Sequence, residues 1–95
     1  MSTPVVASAV TIRKLTPADF DAVVAIDAAT EGRTRREYVE RRLDAARREP
    51  TLHAQFGAED GSGLIGCMLG RVLAGEFGRD RPALRLEMMG VRADR

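Results

Sequence analysis

Leu84-Arg85-Leu86-Glu87-Met88-Met89-Gly90-Val91 is the stretch on which the reading of the whole chain turns. Leu84, Leu86 and Met88 alternate with Arg85, Glu87 and Met89, a period of two that predicts a β-strand with one apolar face. Gly90 near its end suits a bulge or a close backbone approach. Before it lies a polar connection with Gly75, Glu76, Phe77, Gly78 and Pro82, and before that an apolar run from Leu64 to Ala74 broken by Gly66, Gly70 and Arg71. That run reads as a long central strand. Leu52, Ala54, Phe56 and Ala58 alternate with His53, Gln55, Gly57 and Glu59, and Asp60-Gly61-Ser62-Gly63 then turns the chain, so these two strands form a hairpin.

Two helices precede the hairpin. Thr16 can cap the first, with Pro17 at its first position, where no amide hydrogen is needed, and Asp19 in its first turn. Phe20, Val23 and Val24 then give an apolar stripe, and the helix is expected from Pro17 to Ala29. Thr34 and Glu37 have the spacing of a reciprocal capping box and predict the start of a second helix, with Val39, Leu43 and Ala46 inward and Pro50 as its stop. Val10 and Ile12 alternate with Thr11 and Arg13 in a short opening strand. The expected order is therefore β-α-α-β-β-β. Three consecutive strands on short connections argue for an antiparallel sheet carrying both helices, an α+β arrangement in a single domain over residues 1–95.

Composition narrows the function. The 95 residues are 44% hydrophobic and 31% charged, typical of a globular chain. A net charge of +1 offers no field for nucleic acid or an anionic membrane surface. The apolar stretch Val5 to Val10 is too short for a secretory core or a membrane span, which leads to an expectation of a cytoplasmic protein with Cys67 reduced. One cysteine and one histidine do not make a thiolate metal cluster, so no metal is expected. Gly61-Ser62-Gly63 is read as a hairpin turn, because a phosphate-binding glycine loop needs a helix after it.

The order of elements and the last strand with its exit, Leu84 to Arg95, together resemble the first half of the GNAT superfamily of N-acetyltransferases, which move an acetyl group from acetyl-CoA to an amine. Ala93 stands where the family usually has proline. The resemblance implies acetyl-CoA as cosubstrate and a small-molecule or peptide amine as acceptor. The family's glycine loop and third helix, which hold the CoA diphosphate on free amides and a helix dipole, have no counterpart in this sequence. The resemblance therefore implies a chain inactive by itself. It also implies an unpaired last-strand edge and an uncovered apolar face, and from these a homodimer or a complementing partner chain. A non-catalytic dimerisation or interaction module derived from an acetyltransferase is the alternative.

Acetyl transfer needs a base for the ammonium proton, a donor for the oxyanion and an acid for the departing thiolate. By the same resemblance Glu87 is the base, a role that needs a buried setting, against the alternative of a solvated or Arg85-paired carboxylate. The amide of Met89 is the oxyanion donor, Val91 bonds the pantetheine arm, and Gly90 supports the bulge that exposes them; the alternative is that Met88, Met89 and Val91 are ordinary core. The bend between the helices borders the acceptor cleft in the family, which makes Asp27 and Arg33 candidate acceptor contacts; the alternatives are a helix-end surface acid and a solvated charged face. Phe77 either closes over the acceptor or caps the core. Tyr38 is read as a packing residue, His53 as a surface histidine and Cys67 as an inert buried thiol.

Overall fold

The computed structural model describes residues 9–73 and 83–94. In chain order it contains β1 (Thr11–Lys14), a 3-10 turn (Pro17–Asp19), α1 (Phe20–Glu31), α2 (Arg36–Arg48), a second 3-10 turn (Pro50–Leu52), β2 (His53–Asp60), β3 (Gly63–Leu73) and β4 (Ala83–Val91). The strands form one sheet in the order β1-β2-β3-β4 with every neighbouring pair antiparallel. The expected α+β order is the observed one.

Local chemistry explains the helix ends, with one exchange. Asp19 Oδ2 accepts from the Thr16 amide at 2.7 Å, and the Asp19 carboxylate takes two bonds from the Arg13 guanidinium at 2.8 Å each, so the β1–α1 corner is tied by one buried acid. α1 ends at Gly32, whose φ of 79° is the left-handed conformation that glycine adopts without strain, and its amide donates to the Ala28 carbonyl at 2.8 Å. The capping box expected at Thr34 and Glu37 does not set the start of α2. The helix begins one residue after Arg35, whose carbonyl takes the first helical bond, from Val39 at 3.1 Å, and whose guanidinium is held by Asp27. A tertiary ion pair decides this boundary in place of the local motif.

Residues paired across an antiparallel ladder share a face, so the register sorts the sheet into two sides. Arg13, Gly57, Cys67 and Gly90 make one row under the helices, and Gln55, Leu69 and Met88 the next. The core lies here, with Val23, Val24 and Ile26 of α1 and Val39 of α2 packed on Leu64, Cys67, Leu69 and Met88. The opposite side carries the rows Ile12-Ala58-Gly66-Val91, Lys14-Phe56-Met68-Met89 and Ala54-Gly70-Leu86. No described helix covers that side.

A bulge in β4 corrects the simple alternation of the last strand. Pairing steps from Leu69↔Met88 to Gly70↔Leu86, which leaves Glu87 as the extra residue. One inserted residue inverts the pattern after it. Leu84 and Leu86 therefore lie on the open side, while Met88 is buried under α1, and Glu87 turns to the helix side, where Arg42 of α2 bonds it. Gly90 is the point where α1 crosses β4. A Cβ there would sit 2.9 Å from Ile26 Cγ2 and 3.0 Å from Thr30 Oγ1, so only glycine permits this approach.

Candidate functional site

β4 is an edge strand among the described residues, and its ladder determines which way its amides point. The Arg92 amide donates to the Ile65 carbonyl of β3 at 2.7 Å. Antiparallel pairing alternates, so the Gly90 amide also faces β3, opposite Cys67, while the amides of Met89 and Val91 face away from the sheet. The two donors expected to meet a thioester and its pantetheine arm are thus the two that β3 does not use. The Met89 and Val91 side chains are exposed on the open side, not in the core.

Beside this edge, two carboxylates are each held by an arginine. Asp27, only 1% exposed, takes Arg35 Nε at 2.9 Å and Nη2 at 2.6 Å. It is not the surface acid that a position near a helix end suggests. Glu87, nine-tenths buried, takes Arg42 Nη1 at 2.6 Å on Oε2, while its Oε1 has no hydrogen-bond partner. Tyr38 links the two pairs. Its hydroxyl donates to the Glu87 carbonyl at 3.3 Å, and both guanidiniums stack on its ring, Arg35 at 4.2 Å and Arg42 at 5.7 Å from the centroid. Arg35, Tyr38 and Arg42 stand at the spacing of one helix face, so α2 presents a cationic and aromatic wall to the two acids. That spacing was a usable signal for Arg42. The partner on β4 was not, because the bulge that turns Glu87 inward leaves no mark in the alternation.

A pocket of about 310 Å³ opens between α1 and β4, lined by Asp27, Thr30, Glu31 and Arg35 on one side and Leu86 to Met89 on the other. Asp27, Glu87 and Met89 are therefore brought together, with Gly90 and Val91 continuing the same edge. Arg33 is exposed in the turn between the helices and does not line the pocket. Phe77 lies outside the described residues. His53 is partly exposed and bonds the Glu49 carbonyl through Nδ1 at 3.0 Å. Burial, with Asp27 and Asp19 nearby, pushes the Cys67 thiol up to about 11, which makes it a poor nucleophile at neutral pH.

This fold is the one found in the GNAT acetyltransferases. A GNAT family acetyltransferase from Staphylococcus aureus superposes on it with a TM-score of 0.68 at 11% identity, over 90% of this chain and 64% of that one. An aminoglycoside acetyltransferase from an uncultured soil metagenomic sample, solved in complex with sisomicin, superposes with a TM-score of 0.58 at 14% identity, over 90% of this chain and 57% of its own. The chain thus spans less than two thirds of the length of either structure. No family model and no curated protein matches the sequence. No described helix is long and apolar enough to cross a membrane.

Proposed function

We propose that this chain supplies the acceptor side and the thioester wall of an N-acetyltransferase that moves an acetyl group from acetyl-CoA to an amine. The observation that carries the reading is the pair of outward amides at Met89 and Val91 next to the buried Glu87 carboxylate, on the fold shared with acetyltransferases. In this reading the amine lone pair attacks the thioester carbonyl. The Met89 amide donates to the oxygen as it becomes an oxyanion, and the Val91 amide bonds the pantetheine arm. The ammonium proton leaves to Glu87, directly or through one water. Collapse of the intermediate breaks the C–S bond, forms the amide and releases the CoA thiolate, which then takes a proton.

Among the described residues no glycine-rich loop leads into a helix, so these residues offer no cradle for the CoA diphosphate. Calorimetric titration tests this. The 95-residue chain is expected to bind acetyl-pantetheine and acetyl-CoA equally and weakly, without turnover. Micromolar binding of acetyl-CoA with a strong preference over acetyl-pantetheine would contradict it.

A second reading, that of an interaction module, is favoured by the open side of the sheet. Ile12, Leu84, Leu86, Met89 and Val91 are each at least half exposed there, and a run of exposed large apolar side chains on one side of a sheet is the kind of surface that marks an interaction site. Sedimentation at tens of micromolar is expected to show a dimer; a stable monomer would contradict this reading.

A further inference from the structure

Arg71 of β3 and Arg85 of β4 are direct cross-strand partners, and His53 of β2 stands opposite Arg71 in the same row. The bulge at Glu87 makes this pairing. On a regular ladder Arg71 would meet Leu86 and Arg85 would turn to the open side; with Glu87 as the extra residue, both arginines fall on the helix side, in the next row beyond Gln55-Leu69-Met88. α2 ends at Arg48 and does not cover them, so both are exposed. Like charges directly opposite each other on a ladder repel, and this pair weakens the sheet unless something neutralises it. Elsewhere the chain neutralises its guanidiniums. Every other described arginine except Arg33, in the turn between the helices, has a carboxylate within 4.0 Å. Among the described residues, Arg71 and Arg85 have no carboxylate, hydrogen-bond acceptor or aromatic ring against them, and the row they share with His53 holds no acid. His53 gives Nδ1 to the Glu49 carbonyl at 3.0 Å; a carbonyl only accepts, so Nδ1 carries the proton and Nε2 is left without one.

We infer that Arg71 and Arg85 form a binding site for a phosphate dianion, either the free ion or the phosphomonoester of a small molecule. The inference does not depend on the acetyl-transfer reading. Cross-strand neighbours start about 5 Å apart at their Cβ atoms, so two long side chains from them can close on one anion. Each guanidinium is a planar fork that takes two oxygens, and a phosphate offers three acceptor oxygens and close to two charges, enough to satisfy and neutralise both forks. A carboxylate neutralises one. The strand rises about 3.4 Å per residue, which sets Arg85 roughly 20 Å from Val91. The site is therefore separate from the outward amides at the other end of β4.

The test titrates inorganic phosphate, glycerol 3-phosphate and acetate into the 15N-labelled chain at fixed ionic strength and about pH 8, where phosphate is a dianion, while the amides of Arg71, Val72 and Arg85 are followed. Saturable shifts are expected with both phosphates and weaker binding with acetate. Glycerol 3-phosphate binding more tightly than inorganic phosphate would identify a phosphomonoester as the ligand, and equal binding the free ion; either result supports the site. Arg71→Gln and Arg85→Gln are each expected to weaken phosphate binding about fivefold, the size of one exposed ion pair. Neither is expected to lower the thermal unfolding temperature in phosphate-free buffer, because each removes a repulsion. Arg33→Gln, at the exposed arginine of the interhelical turn, is expected to leave phosphate affinity unchanged. Acetate binding as tightly as phosphate, an unchanged affinity in Arg71→Gln or Arg85→Gln, an equal loss in Arg33→Gln, or a loss of stability without phosphate in either β-strand variant would overturn the inference.

Discussion

Two buried acids do much of the positioning work, and each makes a prediction. Asp27 holds Arg35 and through it the start of α2. Asp27→Asn keeps the shape but leaves a guanidinium facing an amide, and is expected to cost about 2 kcal/mol, less than a fully buried pair because Arg35 retains some exposure. Urea unfolding measures it, and an unchanged midpoint would contradict the role. Asp19 is held below the ordinary carboxylate range by its two bonds from Arg13, against the opposing effect of burial. Its folded-state value is the lower one, so the stability it adds is complete above the unfolded-state value of about 3.9 and is lost as pH falls through the folded-state value. Arg13→Gln is therefore expected to move acid unfolding, followed by circular dichroism, to higher pH and to lower stability across the range above about pH 4; an unchanged acid midpoint would contradict the role. The family resemblance pointed to Glu87 and Asp27 as chemistry. What it could not show was the partner of each, since Asp27–Arg35 and Glu87–Arg42 form only once α2 has folded back over α1 and the sheet.

Hydrophobic period and turn residues made the elements legible: the β2–β3 hairpin, the two helices and the strand order all follow from them. The departures have tertiary causes. Thr34 and Glu37 obey a local capping rule that the Asp27–Arg35 pair overrides, and the alternation of β4 hides an extra residue that only pairing with Leu69 and Gly70 brings out. Gly90 suits a close backbone approach by its place near the end of the last strand, and it is where α1 packs tightly on β4. Gly90→Ala is expected to force α1 off β4 at a cost of about 1–3 kcal/mol, the usual penalty for overpacking a tight contact. The variant should also lose the fixed position of Thr30 beside β4. Thermal unfolding with no loss of stability would show that the contact is looser than 2.9 Å implies.

At the scale of the whole molecule, the helices cover one side of the sheet and the described residues leave the other side bare. The core on the covered side is complete, with Ile26, Leu69, Val23 and Val39 fully buried, while Leu84, Leu86, Met89 and Val91 of β4 face outward. Leu86→Glu, at a side that carries no described core contact, is expected to leave the fold intact and shift sedimentation toward monomer; association unchanged by this charge would place the interface elsewhere. The same strand gives both its apolar side chains and its unused amides to the outside, and the two together define the acetyl-transfer reading. The most direct test is a residue-resolved amide titration with acetyl-CoA. The account predicts that the Met89 and Val91 resonances move first and most while Gly90 and Arg92, bonded to β3, stay nearly fixed. Shifts that spare β4, or that fall equally on all four amides, would contradict it.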